Sequence, residues 1–278
     1  MKPVLAGLFL LLLPSVPVVG EEETTEQSKP PIKIVALEIP WLLHTETPGP
    51  YNDLMDELFA GFDQPLEVSI MPVRRALREF FGGSAHCYFS GNYNDAFFDI
   101  GGIRREDVVY SKPFNLSNIR VFTPSGEPTI SALSQLSNRH VSIDAGVGAV
   151  SSVRAELPDN TNAVVATSVE QGHAMLAQGR VDAAIMVHYD YRLFMAHNET
   201  QLKLHFDDDL IFRPIEDKVM CKPDAATNGL IDHVNSRIDT MASTGALART
   251  LAPDYARSRQ QFAEQPHPYL LLYQPGTQ

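Results

Sequence analysis

Arg104 and Arg105 stand ahead of the segment 108–114 (Val-Val-Tyr-Ser-Lys-Pro-Phe), with Arg104 ten residues before Phe114. A guanidinium is a planar fork of donors that grips a carboxylate through two parallel hydrogen bonds, which a lysine ammonium cannot reproduce. Arg104 is the candidate for such a grip. Arg105 leaves the register open by one residue, and a plain surface arginine is the alternative. Asp144 and Gly146 lie in a second candidate, the turn 144–148 (Asp-Ala-Gly-Val-Gly) between an apolar strand and a helix. Free backbone N–H groups at a helix start attract an anion, although a tight turn with glycines at positive φ accounts for the same residues. Trp41, Tyr51 and Tyr88 each follow or open an element near a strand end. Flat rings in such places sandwich an organic ligand or a cation; each alone is more often core.

Catalytic patterns are thin. There is no Gly-x-Ser-x-Gly elbow and no phosphate-binding P-loop. His86, His188 and Glu46 are the available bases, and none has an evident nucleophile beside it. The nine histidines are scattered without zinc-ligand spacing. The run 207–209 (Asp-Asp-Asp) lacks the rest of an oxygen-ligand loop and reads as a solvated turn. No cofactor or metal is implied.

The elements that must position these residues follow from hydropathy. Residues 1–20 have a lysine near the start, an apolar stretch at 4–13 and small residues before an acidic run, as in a secretory signal peptide. The apolar run is short for a membrane span and carries Pro14 and Pro17. No cysteine lies near the cleavage point, so no lipid anchor is expected and the mature chain is expected to be periplasmic. Residues 21–31 are charged and without periodicity, a flexible N-terminus. The formal charge of −12 argues against nucleic acid and anionic membrane as partners. Beyond the leader, strands are expected at 32–37, 66–71 and 86–89 with helices at 50–62 and 74–81 between them. A second set follows Pro113: strands at 141–143, 163–166 and 183–187, and helices at 149–156, 169–178 and 189–197. Residues 204–212 read as extended, and helices at 228–241 and 245–251 finish the chain. Strand–helix alternation of this kind implies parallel sheets with right-handed crossovers.

The order of these landmarks resembles the extracytoplasmic solute-binding proteins of the polar amino acid type. The resemblance rests on the strand Ile32-Lys-Ile-Val-Ala-Leu37, Gly49-Pro-Tyr51, Arg104 before Phe114, the turn at 144–148 and Gly179-Arg-Val-Asp-Ala-Ala184. It spans roughly residues 30–255 and implies an α/β fold of two lobes, the type II periplasmic binding protein fold, with two hinge crossings. Lobe 1 would comprise 32–115 and 215–264, lobe 2 residues 116–214, and 265–278 a tail. It also implies a monomer that captures a small polar or anionic ligand between the lobes, without catalysis, for an ABC permease or a membrane sensor. A periplasmic dehydratase-like enzyme on the same scaffold is the alternative.

By resemblance, Arg104 would clamp a ligand carboxylate, and the cleft would collect Trp41, Tyr51, Tyr88, Asp144 and Gly146. The chain departs from the pattern in two places. An aromatic-rich piece, 92–99, precedes Arg104. The carboxylate that would pair with a ligand ammonium, five residues after Asp182, is replaced by Val187. Asp182 itself reads as a turn or capping residue. His188 and Asp190 follow Val187, but helix onset is expected to turn them differently, which leaves an α-amino acid ammonium without a counter-charge. Cys87 after the third strand and Cys221 at the return to lobe 1 would share a sheet region. Export would allow a disulfide between them, two buried thiols being the alternative.

Overall fold

The computed structural model describes residues 29–90, 98, 101–147 and 150–251. The expected leader, most of the N-terminal segment 21–31, the tail and, apart from Phe98, the piece 92–99 lie outside the described residues, as does Gly148.

Strands gather into two sheets. The first contains β1 (Ile32–Leu37), β2 (Leu66–Met71), β3 (Cys87–Phe89), β4 (Val109–Tyr110) and, from the far end of the chain, β11 (Val219–Cys221). Their order is β2-β1-β3-β11-β4, with β1 parallel to both neighbours and β11 antiparallel to both of its own. The crossovers are α1 (Pro50–Phe59) and α2 (Val73–Phe81). β1 is apolar at nearly every position because both its faces are covered. Ile32, Ile34 and Ala36 pack with Leu54 and Leu58 of α1 and with the long C-terminal helix, while Val35 and Leu37 pack with Phe80 of α2.

The second sheet has the order β10-β5-β8-β6-β7. Its strands are β5 (Asn115–Pro124), β6 (His140–Asp144), β7 (Asn162–Ala166), β8 (Ala183–Val187) and β10 (Arg213–Asp217), and short β9 (Leu204–His205) pairs with the end of β5. Helices α3 (Val150–Ala155), α4 (Val169–Ala177) and α5 (His188–His197) cover it. Alternation splits its residues between two cores: Ile119, Val121, Ile143 and Ile185 on one face, Phe122, Ala184 and Met186 on the other. Helices α6 (Ala225–Ser243) and α7 (Ala246–Thr250) then return to the first sheet.

Only Leu204–His205 of the expected extended stretch 204–212 is strand. Beyond it the chain turns around the buried guanidinium of Arg120, which donates to the carbonyls of Asp208 and Leu210 at 2.9 Å each. The acidic run is a turn, with Asp209 N–H donating to Asp207 Oδ1.

The two passages between sheets run side by side. Asn115 pairs with Asp217 in the β5–β10 register, Phe114 N–H donates to the Asp217 carbonyl, and Ser111 N–H to that of Val219. Behind them, Cys87 and Cys221 face each other in the β3–β11 register, fully buried and joined as a disulfide with Cα atoms 4.0 Å apart. The covalent link therefore lies inside the first sheet.

Candidate ligand-binding site between the lobes

Parallel strands of an open sheet deliver their carboxyl ends, and the turns that follow, to one edge, where ligands of α/β sheets collect. In the second sheet that edge carries aspartates. β6 ends on Asp144, β8 runs into α5 with Asp190 in its first turn, and β10 ends on Asp217 at the passage to the first sheet. A Cβ placed on Gly146 would lie 3.4 Å from Asp144 Oδ2 and 3.6 Å from Asp190 Oδ2, so both carboxyl groups converge on one point.

Each acid is set differently. Asp144 is 3% exposed and accepts from Gly146 N–H at 3.0 Å; burial outweighs that bond and pushes its pKa up to about 6, with Glu170 adding to the rise. Asp217 accepts from the Tyr51 hydroxyl at 2.6 Å and from Asn115 Nδ2 at 3.4 Å, yet burial again raises it to about 6. Asp190 is raised furthest, first by burial and then by the charges of Asp144 and Asp217. Among the described residues no basic side chain forms an ion pair with any of the three. Asn115, 2% exposed, gives its amide N–H to the Tyr51 oxygen at 2.6 Å and leaves Oδ1 without a partner.

Aromatic side chains close the space from both sides. Trp41, at φ 58°, stacks on His197 with centroids 6.3 Å apart and tilts against Phe194 at 5.9 Å, both on α5. Its loop is drawn tight: a Cβ on Gly49 would fall 2.1 Å from the Trp41 carbonyl oxygen, so only glycine permits this approach. Tyr189 stacks on Tyr51 at 6.3 Å and donates its hydroxyl to the Leu251 carbonyl, while Leu193 is buried within the first lobe's core. α5 thus belongs to the second sheet by connection and to both lobes by packing.

Of the residues singled out in the sequence, Asp144 and Gly146 sit beside Asp190, and Tyr51 and Trp41 occupy the junction. Tyr51 is fully buried, with its ring edge-on to Phe89 and Phe114, and only its hydroxyl points to the acids. Tyr88 does not join them. Alternation along β3 sends Cys87 and Phe89 to one core and Tyr88 to the other, where it packs on Phe80 and burial raises its pKa. Arg104 does not join them either. Its side chain is 70% exposed and pairs with Glu106 at 2.9 Å and Asp107 at 2.7 Å, and it flanks the turn Arg105–Asp107 rather than a cleft. Two acids within three residues satisfy the fork locally. Arg105 is also exposed and lies over the Phe98 ring at 5.1 Å.

The turn at Gly146 differs from the expected anion site in its occupant, since its N–H is taken by Asp144. Asp182 accepts from His140 N–H at 2.8 Å, a contact between the starts of the paired strands β8 and β6 rather than a turn or a cap. Val187 is core, 6% exposed, and the next acid, Asp190, stands one helical turn further on, beside Asp144. Asp217 and Asn115 were not anticipated, and Asp190 was expected to turn differently; the displacement of an acid by one helical turn from Val187 is the signal that pointed to Asp190 alone. The possible catalytic bases do not converge. His86 accepts from Lys33 N–H at the opposite end of β3, Glu46 is exposed, and His188 is enclosed by Phe122 and Phe206 with its pKa lowered to about 3 by burial.

No protein-family model matches the sequence, and no curated protein matches it. Solved structures do match its shape. The GluR0 ligand-binding core complexed with L-glutamate superposes with a TM-score of 0.64 at 12% identity, covering 81% of this chain and 97% of its own. The Streptococcus pneumoniae amino acid ABC transporter substrate-binding protein AbpA, bound to L-arginine, gives 0.60 at 19%, covering 79% and 92%. A histidine kinase sensor domain with similarity to periplasmic binding proteins gives 0.62 at 12%, covering 79% and 93%. The chain has the two-lobed α/β fold of the type II periplasmic binding proteins.

Proposed function

We propose that the protein is an exported, non-catalytic binding protein that closes its two lobes on a small polar solute bearing a positively charged nitrogen, for uptake or sensing. The observation that carries this reading is that Asp144 and Asp190 meet beside Gly146, with the charge of Asp217 also bearing on Asp190, and that none of the three has a basic ion-pair partner among the described residues. Ionised carboxylates and an amide oxygen only accept hydrogen bonds, so they match a group that only donates, an ammonium or a guanidinium. An anionic solute would have to enter beside three carboxyl groups, which like-charge repulsion in a dry cleft opposes.

The fold is shared by proteins of transport and by a sensor domain, which supports both destinations. The secretory character of residues 1–20 and the buried disulfide support a periplasmic location. No helix of the described residues is long and apolar enough to cross a membrane. The test is a thermal-shift screen of the mature chain against basic, neutral and acidic amino acids, diamines and organic acids. Stabilisation confined to solutes with a cationic nitrogen is expected; stabilisation by organic acids alone would overturn the reading.

A further inference from the structure

We propose that, before solute binds, the junction between the lobes stores protons on Asp144, Asp190 and Asp217 and surrenders them in exchange for the cationic nitrogen of its solute, so that acid shuts capture off. This inference rests on the function proposed above and adds its regulation. Three neighbouring carboxyl groups, Asp144 buried and Asp190 and Asp217 half-buried, resist ionising together, because each added charge raises the cost of the next. Among the described residues no basic side chain forms an ion pair with them. From α5 itself comes the phenol of Tyr189, from α1 that of Tyr51, and from α4 a further acid, Glu170. Bases elsewhere in the two lobes act on other groups. Arg120 is spent on backbone carbonyls and, with Arg192, bears on His188 rather than on the acids, while Lys218 pairs with Glu216 at 2.5 Å.

The unpartnered Oδ1 of deeply buried Asn115, whose amide nitrogen also reaches Asp217, is a separate sign that a donor is expected. Asp190, half-buried, accepts no hydrogen bond from the described residues, which leaves its carboxyl group open to a ligand N–H. The upward shifts of all three acids agree with this geometry. The exchange balances simply. A carboxylic acid O–H releases its proton to solvent, and the carboxylate accepts from the solute's N–H⁺.

The ligand-free consequence has a definite sign. Asp144 and Asp217 have folded-state pKa values of about 6 against an ordinary 3.8, so the native state holds more protons than the unfolded chain. Their contribution to stability is complete below 3.8 and is lost as pH rises through about 6. The experiment has two arms, both on the mature chain with its disulfide intact. In the first, melting temperature is followed from about pH 4 to pH 8 without solute, for the wild type, Asp190→Asn, Asp144→Asn and, as a control, exposed Asp53→Asn.

A wild-type decline across that range is expected. Asp190→Asn should melt higher than wild type near neutrality with a shallower decline, Asp144→Asn should do the same, and the control should follow the wild type. A flat wild-type profile, or Asn variants that follow it, would overturn the store; Asp144→Asn covers the case in which Asp190→Asn does not fold. In the second arm, L-arginine and putrescine are titrated calorimetrically in two buffers of different ionisation enthalpy. Buffer-dependent heats should report proton release, with affinity falling up to about tenfold per pH unit for each proton exchanged as the solution is acidified. Binding with buffer-independent heat refutes the exchange while leaving the solute class intact. Failure of both probes, with the first arm upheld, refutes the solute class and the exchange together and leaves only the proton store.

Discussion

Tyr51, on the first helix of one lobe, donates its hydroxyl to Asp217 at the carboxyl end of β10 in the other sheet, at 2.6 Å. The same oxygen accepts from Asn115 on the adjacent passage, so one phenol joins both crossings. A fully buried tyrosine keeps its proton here because burial and the Asp217 charge both raise its pKa. The phenol therefore works as a fixed donor and holds Asp217 at the junction.

Tyr51→Phe removes that donor while preserving the ring packing on Phe89 and Phe114. Loss of a hydrogen bond to a half-buried acid, with Asn115 left to shift toward Asp217, should cost about 1–3 kcal/mol. Urea unfolding at neutral pH measures it, and a loss below about half a kcal/mol would show that the bond contributes little.

Arg104→Ala should leave solute affinity unchanged, because the side chain is open to solvent and occupied by Glu106 and Asp107. Asp190→Asn, measured beside it against the same cationic solute, should lose at least about tenfold, since a charge-assisted bond is replaced by a neutral one. The reverse ranking in calorimetry would return Arg104 to the site.

Trp41→Ala should loosen the lobes. Trp41 is the first lobe's aromatic contact with Phe194 and His197 of α5, and aromatic pairs of this kind are each worth about 0.5–1.5 kcal/mol. A hinge with two passages converts such a loss into a population of open molecules rather than unfolding. Small-angle scattering of the ligand-free variant should show a larger radius of gyration than the wild type. An unchanged radius with lowered melting temperature would mean that Trp41 serves stability alone.

Much of the fold was legible because its signals are local. The apolar strand 32–37, buried on both faces, and the glycine-punctuated strand–helix alternation of 141–187 each state their element without outside help. The site was less legible because its chemistry depends on long-range geometry. Arg104 has the right residue type and spacing, but the acids two and three residues further on neutralise it in place. Tyr88 lies on the right strand, but a period of two turns it into the other core. Asp190 follows the position where an acid was missed, and only the packing of α5 against both lobes shows that one helical turn brings it to Asp144. Asp217 and Asn115 meet through a crossing 102 residues apart in sequence, which no window on the chain reveals.

The Cys87–Cys221 bond offers the last prediction. Both cysteines are fully buried partners in adjacent strands, and 134 residues of chain separate them, including the whole second sheet. In the chain-entropy model, closing so long a loop restricts the unfolded state by about 5 kcal/mol, less any strain in the native state. The bond lies wholly within the first sheet and spans neither passage, so it restrains the unfolded chain without restraining the movement of one lobe on the other. The double variant Cys87→Ala/Cys221→Ala should therefore lose about 2–5 kcal/mol in reversible denaturant unfolding, part of it from the small cavities left at β3 and β11. Its solute affinity and its ligand-free radius of gyration should match those of the wild type. A loss under about 1 kcal/mol would show that the unfolded chain is already compact near this pair. A change in solute affinity at unchanged stability would place the bond in the mechanism of closure instead.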